Sequence, residues 1–267
     1  MKAKTILITG ASSGFGKETA RKLAQQGHHV YGTSRKPATL EGVQMLVVDV
    51  TQRPSIHAAV ERIMADHKHL DVVINNAGMG ISGALELATD REISQQMETN
   101  FHGVVNVCAT VLPILRKQRE GRIINLSSIA GVAAVPYQGF YSASKFAIEG
   151  YSEALALEVY RFGIKICLVE PGDFHTNFTA NRCISEATKR DADYGKSFCK
   201  TMQLIDEAEQ KGCKPEKLAK AICRLVNAPH PRFRTVVGPI EQVFFARITP
   251  FLPTCLQQRL LRMFYKL

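Results

Sequence analysis

Three residues in one stretch of the chain have the types and spacing needed for acid–base chemistry. Tyr141 and Lys145 are four residues apart, so they lie on one face of a helix, and Ser128 precedes the tyrosine by thirteen residues. A phenol has a pKa of about 10 and is a poor acid–base catalyst at neutral pH, but a neighbouring ammonium favours the phenolate and lowers that pKa. The stretch predicts that Tyr141 exchanges a proton with a substrate oxygen held by Ser128. A half-buried tyrosine beside a solvated lysine has the same pattern, so the rest of the chain must decide.

A glycine-rich turn near the start of the chain predicts a phosphate-binding site. The β-branched run 4–9 reads as a buried strand, and Gly10, Gly14 and Gly16 then open an amphipathic helix that runs to about Gln26. Such glycines let the backbone approach a pyrophosphate, and the helix N-terminus supplies amide donors. The order G-x-x-x-G-x-G differs from the general dinucleotide fingerprint, and a plain tight turn is the alternative. The strand–turn–helix context favours phosphate binding.

The end of the second predicted strand, residues 28–33, bears on the choice of dinucleotide. A cofactor with a free ribose 2′-hydroxyl calls for Asp or Glu about twenty residues after the glycines. The chain instead reads Ser34-Arg35-Lys36, and the first acid is Glu41. An arginine can bind a 2′-phosphate through paired charge-assisted hydrogen bonds, so the sequence favours NADP(H) over NAD(H). The alternative is that Arg35 and Lys36 belong to a solvated loop.

Strands and helices alternate along the rest of the chain, which predicts an α/β fold. The expected strands are at 44–48, 71–74, 122–126, 164–170 and 235–237. The expected helices run from after Asp49 to about Asp66, over roughly 90–117, through Tyr141 and Lys145 to about Phe162, and over 215–227. This alternation predicts one Rossmann-type domain, a doubly wound parallel sheet of about seven strands with helices on both faces. Residues 1–238 form the expected catalytic domain, in which 173–210 is a substrate-covering flap, and 239–267 form a basic, apolar helical extension.

Asn100 lies beside the buried stripe of the predicted helix 90–117, where an unpaired amide would be costly. Its side chain either bonds to neighbouring backbone in the core or holds a water near the active site. The turn Asn75-Asn76-Ala77-Gly78 after the fourth strand offers a place where a flat ring could lie against backbone.

Composition excludes several classes of protein. Seven cysteines, none in a C-x-x-C or zinc-ribbon spacing, indicate reduced thiols in a cytoplasmic protein and no metal site. The longest uncharged stretch, 123–144, contains Pro136 and several small polar residues, so no transmembrane helix is expected. The net charge of +10 could serve nucleic acid, but no helix-turn-helix or aromatic-interleaved basic patch is present.

The last 39 residues carry six basic residues against one acid, half of the net charge, among many apolar side chains. Such a segment suits a helix lying on an anionic bilayer. The alternative is a C-terminal helix packed on its own domain or on a second subunit. In either case an apolar tail near the flap favours a hydrophobic substrate.

Taken together, these motifs resemble the short-chain dehydrogenase/reductase family over about residues 3–238. The motifs are Thr9-Gly10-x-x-x-Gly14-x-Gly16, Asn75-Asn76-Ala77-Gly78, Asn100, Ser128, Tyr141-x-x-x-Lys145 and Pro171-Gly172-x-x-x-Thr176. The segments Phe162-Gly163-Ile164 and His175-Thr176-x-Phe178 look most like the hydroxysteroid and retinol dehydrogenase branch. Phe15 departs from the Ile or Leu that is usual between the last two glycines.

The resemblance implies a catalytic group of Asn100, Ser128, Tyr141 and Lys145, with Lys145 also bonding the nicotinamide ribose. It implies that Asp49 touches the adenine and that Thr176 touches the nicotinamide end, and it implies a homodimer or homotetramer formed through the two long helices. The expected cofactor-binding residues are Gly10, Ser12, Ser13, Phe15, Gly16, Ser34, Arg35, Asp49, Val50, Asn76, Ala77, Gly78, Tyr141, Lys145, Pro171, Gly172 and Thr176.

The sequence therefore predicts an NADP(H)-dependent oxidoreductase that interconverts a ketone and a secondary alcohol on a lipid-like substrate such as a steroid, retinoid or keto-lipid. A 3-oxoacyl-carrier-protein-type or general carbonyl reductase is an alternative within the family. An NADP-binding sensor without turnover is the alternative of another class, and it would be expected to have lost a catalytic residue.

Overall fold

The computed structural model describes residues 2–267, and its centre is a seven-stranded parallel sheet. The strands of this sheet are β1 (Thr5–Ile8), β2 (His29–Ser34), β3 (Gln44–Val47), β4 (Val72–Asn75), β6 (Gly121–Leu126), β7 (Ile164–Pro171) and β9 (Arg234–Val237). Their order across the sheet is β3-β2-β1-β4-β6-β7-β9. The order reverses between β1 and β4, which creates the crevice where open α/β sheets bind ligands. The predicted single-domain doubly wound fold is confirmed.

Helices cover both faces of the sheet and also form most of the flap after β7 and the C-terminal extension. They are α1 (Gly14–Gln25), α2 (Arg53–His67), α3 (Asp90–Met97), α4 (Gly103–Gln118), α5 (Gly139–Val159), α6 (Asn177–Ala180), α7 (Glu186–Arg190), α8 (Gly195–Gln210), α9 (Pro215–Asn227), α10 (Ile240–Ile248) and α11 (Thr254–Tyr265). Side chains alternate along each strand between two buried clusters. Leu7 joins the cluster under α2, α4 and α5, whereas Ile6 and Ile8 join the cluster under α1 and α9. Burial on both faces explains the continuous apolar runs of these strands.

One long helix predicted at 90–117 is interrupted. A π-helical turn, Glu98–His102, separates α3 from α4, and Asn100 lies inside this turn with no exposed surface. The extra residue of a π turn shifts the helical phase, which a hydrophobic periodicity cannot reveal because the stripe continues on both sides. The continuous-helix prediction was therefore wrong at this point.

The flap leaves the sheet after β7 and returns to the place where it left. Backbone hydrogen bonds from His175 to Cys213 (3.0 Å) and from Cys213 to Asp173 (3.0 Å) close its two ends together. Within the flap, β8 (Cys183–Ile184) pairs in parallel with β5 (Ile81–Ser82), a short strand that the sequence did not reveal. The flap is thus fastened to the domain at its ends and at its middle.

The C-terminal extension folds back onto the flap. Tyr265 at the end of α11 packs against a small cluster of Phe198, Met202 and Ile205 from the flap. None of the described helices is long and apolar enough to span a membrane. All seven cysteines are free thiols.

Candidate active site

Ser128, Tyr141 and Lys145 line one open cleft at the carboxyl end of the sheet. Ser128 follows β6 and caps a short 3₁₀ turn, because its hydroxyl accepts a hydrogen bond from the Ala130 amide at 3.1 Å. The first turns of α5 hold Tyr141 and Lys145, and the Lys145 ammonium lies 5.6 Å from the centre of the Tyr141 ring. The helical spacing thus places these groups as the sequence predicted.

Lys145 is buried, with 6% of its surface exposed. Its Nζ donates a hydrogen bond to the Leu126 carbonyl at 2.9 Å, which ties α5 to the end of β6. Removal from water disfavours the charged amine and lowers the pKa of Lys145 to about 8, although Glu149, one turn further along α5, opposes this shift. Near neutral pH the amine therefore remains mostly charged, and it loses its proton as the pH rises above about 8.

Burial also shifts the pKa of the Tyr141 phenol. The shift is upward, whereas the neighbouring lysine was expected to lower this pKa. Desolvation raises the pKa of Tyr141 to about 12, and interaction with the Ser128 hydroxyl only partly opposes it. The expected depression of this pKa is thus absent. At neutral pH the phenol keeps its proton, and this protonated form is the one that can act as an acid.

Asn100 lies behind the cleft and does not line it. Its Oδ1 accepts from the Met79 amide at 2.9 Å, and its Nδ2 donates to the Met79 carbonyl at 3.0 Å and to the Ser144 hydroxyl at 3.1 Å. Ser144 in turn donates to the Tyr141 carbonyl at 2.6 Å. The amide therefore fastens the turn after β4 to the helix that carries the tyrosine, which matches the core-asparagine alternative.

The glycine turn leaves room that other residues would fill. Gly10 adopts a positive φ of +67°, and a Cβ on Gly16 would come within 2.3 Å of the Gly10 carbonyl oxygen. The Asn76 side chain holds this turn by donating to the carbonyls of Thr9 and Gly10, each at 2.9 Å. At the start of α1, Ser13 makes no side-chain cap, so the first amides of the helix have no such partner. A close-approach turn with available amides at a helix N-terminus fits the pyrophosphate of a dinucleotide.

The residues predicted to bind the adenosine half lie at the carboxyl ends of β2 and β3. Ser34 is buried and donates to the Lys36 carbonyl at 2.6 Å, while the exposed Arg35 makes no salt bridge with any described residue. Asp49 is held by the Thr51 amide at 2.9 Å, with Val50 buried beside it. These positions suit the adenosine half, and no carboxylate follows β2 where one would repel a 2′-phosphate.

Part of the predicted cofactor site and three of the four predicted catalytic residues line this cleft. The predicted residues that line it are Phe15, Asn76, Gly78, Ser128, Tyr141, Lys145, Pro171, Gly172 and Thr176. Gly10, Ser12, Ser13, Gly16, Ser34, Arg35, Asp49, Val50 and Ala77 do not line it. Thr176 caps α6 through the Phe178 amide at 3.1 Å, which fixes the first residues of the flap.

Several residues of the cleft come from the flap and the extension and were not predicted. They are Asp173, Phe174, Ile205, Glu209, Gln242, Phe264 and Tyr265. Phe178, 5.6 Å from the Tyr141 ring, adds to the apolar lining. The aromatic content of 173–210 was a signal for a hydrophobic roof, but nothing local pointed to Glu209 or Gln242. Their position depends on contacts with distant residues, such as the 2.8 Å bond from the Asp173 amide to the Gln242 side chain.

Two carboxyl groups face this otherwise apolar roof. Burial raises the pKa of both Asp173 and Glu209. Gln242 donates to the Asp173 carboxylate, and Arg182 bridges Glu209 and Asp206 with only 1% of its side chain exposed. Burial and these two carboxyl groups together raise the pKa of Tyr265. The cleft therefore combines a proton donor, an apolar roof and an acidic rim.

Comparison with known proteins agrees with this geometry. The short chain dehydrogenase family model matches residues 4–186. The chain is 60% identical over 266 residues to the 3-ketodihydrosphingosine reductase of Bacteroides thetaiotaomicron, covering 99% of each protein. It is 32% identical over 254 residues to the NADPH-dependent 3-dehydrocapnine reductase of Ornithobacterium rhinotracheale, covering 90% of each.

Among solved structures, a short-chain dehydrogenase from Streptomyces avermitilis superposes with a TM-score of 0.81. It is 32% identical in sequence, and the match covers 92% of this chain and 91% of that one. The family model, the relatives of nearly equal length and the shared fold lead to one conclusion. The chain belongs to the short-chain dehydrogenase family of oxidoreductases.

Proposed function

We propose that this protein uses NADPH to reduce the keto group of a long-chain 2-amino-3-ketone, a 3-keto sphingoid base, to a secondary alcohol. The observation that carries this proposal is the composition of the cleft, where Ser128 and Tyr141 lie under an apolar roof with Asp173 and Glu209 at its rim. The two relatives from Bacteroides and Ornithobacterium are named for reductions of keto-lipids rather than of steroids or retinoids.

The two carboxyl groups favour a substrate with an amine beside its ketone. A carboxylate removed from water is costly unless a cation accompanies it, and Arg182 is the only described residue that forms a salt bridge with Glu209. Asp173 forms no salt bridge with a described residue, so an ammonium at the rim would supply a countercharge that favours its ionised form. The aliphatic chain of the substrate would lie against Phe174, Phe178 and Ile205.

In the proposed reaction, bound NADPH supplies the hydride. The Ser128 hydroxyl donates a hydrogen bond to the carbonyl oxygen and orients it beside the Tyr141 phenol. Tyr141 gives its proton to the oxygen as negative charge develops there. The raised pKa of Tyr141 keeps the phenol protonated and available for this step. Lys145 holds the end of β6 against α5 and places a positive charge near the phenolate that forms.

For Asn100 we propose a positioning role, since its side chain bonds Met79 and Ser144 on either side of the cleft floor. The preference for NADPH is proposed from Arg35, whose guanidinium at the end of β2 has no carboxylate partner among the described residues and suits a 2′-phosphate. The NADPH dependence in the name of the capnine-type relative supports this choice.

We also propose that the protein forms homodimers or homotetramers through α4 and α5. The outer face of α5 exposes Phe146 (46%), Leu157 (82%) and Tyr160, at the end of the helix (83%). Their spacing places them on one side of the helix, where an apolar stripe in water indicates a partner. Light scattering should give a mass of at least two chains.

A turnover assay with matched ketones tests the proposed function. NADPH absorbance is followed with a long-chain 2-amino-3-ketone, the ketone of the same length without the amine, a 3-keto steroid and a short ketone. We expect the amino ketone to be reduced with the highest kcat/KM. Higher kcat/KM for the steroid would overturn the substrate class, and NADPH binding without turnover of any ketone would favour the sensor alternative.

The variant Tyr141→Phe tests the proposed proton donor in the same assay. Phenylalanine keeps the ring and its packing against Phe178, so NADPH should bind as it does to the wild type. Loss of general acid catalysis should lower kcat by about 10²–10⁴. A variant that retains a tenth of the wild-type rate or more would show that the proton comes from another group.

A further inference from the structure

The last helix of the chain has apolar side chains on two opposite faces. Tyr265 on the inner face packs against the flap and lines the cleft. On the outer face, Leu256, Leu260 and Met263 follow the i, i+4, i+7 spacing of a helical stripe and are 42%, 38% and 68% exposed. A helix that served only to close the cleft would be polar on this outer face, so the stripe indicates that something covers it.

Basic side chains flank the exposed stripe. Arg259, Arg262 and Lys266 share one open depression with Met263 and Leu267. The sequence has no Asp or Glu from Gln242 to Leu267, and none of the three cations forms a salt bridge with a described residue. The α11 patch is defined here as Leu256, Arg259, Leu260, Arg262, Met263 and Lys266.

The charge of the α11 patch distinguishes between two occupants. If a second copy docked there by two-fold symmetry, the same patch of each chain would face the other and bring two sets of three cations together. Like charges at close range are unfavourable, and no acidic residue from this end of the chain could compensate them. A surface of anionic lipids instead offers negative charge to the cations and an apolar region to the stripe, which is how interfacial amphipathic helices bind.

We propose that the α11 patch docks this protein on an anionic lipid surface. The patch lies next to the catalytic cleft, because Phe264 and Tyr265 on the same helix line that cleft. Docking would bring this wall of the cleft close to the lipid surface, so a long-chain ketone could pass to the cleft along a short path. Only the identity of the long-chain ketone as the substrate rests on the proposed function. The binding to lipid does not.

Vesicle flotation of the full chain without substrate tests this proposal. The vesicles are phosphatidylcholine alone or phosphatidylcholine mixed with phosphatidylglycerol. We expect the wild type to float with the anionic vesicles and not with the neutral ones, and added salt should weaken the binding. Each basic residue near an anionic surface contributes about fivefold in affinity. The variant Arg259→Gln/Arg262→Gln/Lys266→Gln should therefore bind on the order of a hundredfold more weakly.

A matched control comes from the other side of the molecule. Lys22, Lys220 and Arg224 also share one open depression, between α1 and α9, but no exposed apolar stripe accompanies them. The variant Lys22→Gln/Lys220→Gln/Arg224→Gln removes the same charge and should float like the wild type. A second variant, Leu260→Ser/Met263→Ser, tests the apolar stripe and should also lose binding.

Three outcomes would overturn the proposal. They are wild-type protein that does not float with anionic vesicles, equal loss of binding in the two charge variants, and a concentration-dependent dimer that Leu260→Ser/Met263→Ser abolishes while vesicle binding persists. Turnover of a short water-soluble ketone, measured on every variant, separates this result from the proposed function. We expect that turnover to be unchanged because none of the substituted residues lines the cleft.

Discussion

Burial of Lys145 makes the stability of this protein depend on pH in a way that a single substitution should remove. The pKa of this lysine falls from 10.5 to about 8 on folding because the amine leaves water. At about 1.4 kcal/mol for each pH unit, the difference corresponds to a penalty of about 3 kcal/mol when the lysine is charged in both states. The penalty is present in full below pH 8. Between about pH 8 and 10.5 the unfolded chain holds a proton that the folded chain has released, so the free energy of unfolding rises with pH.

The variant Lys145→Met removes this dependence. At pH 7 methionine relieves the penalty but leaves the Leu126 carbonyl without its 2.9 Å donor, at a cost of about 1–3 kcal/mol. The two effects together predict that the variant at pH 7 is at least as stable as the wild type and at most about 2 kcal/mol more stable. Above pH 10.5 only the lost hydrogen bond remains, and the variant should be the less stable of the two.

Urea unfolding of both proteins without cofactor, from pH 7 to 10.5, measures the difference. Other titrating groups are shared by the two proteins and largely cancel. We expect the stability of the variant relative to the wild type to fall by about 3 kcal/mol across this range. The exposed Lys200 on α8 provides a control, since Lys200→Met should run parallel to the wild type. Parallel curves for Lys145→Met as well would refute the account of the buried ammonium.

Three further substitutions test the cleft and its supports. Asp173→Asn keeps an acceptor for Gln242 but loses the charge. The kcat/KM for the 2-amino-3-ketone should therefore fall about 10–100-fold, and the kcat/KM for the amine-free ketone should not change. An equal fall for both ketones would refute the proposed ammonium contact. Arg35→Asp should weaken NADPH binding about 10–100-fold and spare NADH, as read by cofactor fluorescence titration, and an unchanged ratio of the two dissociation constants would contradict the role of Arg35. Arg182→Met should lower the free energy of unfolding by about 3–5 kcal/mol because Glu209 loses its buried partner. The double variant Arg182→Met/Glu209→Gln should recover part of this loss. If urea unfolding shows no recovery, the ion pair does not contribute as described.

Residue patterns along the chain are sufficient to locate most of the sheet. The helix at 215–227 was predicted at its observed bounds, and the strands at 44–48 and 164–170 each differ from β3 and β7 by one residue. These elements have clear punctuation, such as Pro215 at a helix start and Gly163 before β7. The pair β5 and β8 was missed because each has two residues, too few to show a period, and their partner is about a hundred residues away.

Residue type and spacing were enough to predict the glycine turn, the helical pairing of Tyr141 with Lys145, and the placement of Ser128 at the end of a strand. These features are consequences of short-range geometry along one element or one turn, so they can be read from the chain alone. The family resemblance followed from the order of such local motifs, and it is confirmed.

The behaviour of these groups depends instead on contacts between distant parts of the fold. The pKa of Tyr141 rises instead of falling because desolvation outweighs the hydrogen bond with Ser128, and the charge of Glu209 adds to the rise. Asn100 bonds Met79, in the turn after β4, and Ser144, on α5, two parts of the chain that only the fold brings together. Asp173, just after β7, and Glu209, on α8, line one cleft although they are distant in the chain. Burial and long-range contact set dielectric, charge and orientation, and none of these has a signature in the spacing of residues along the chain.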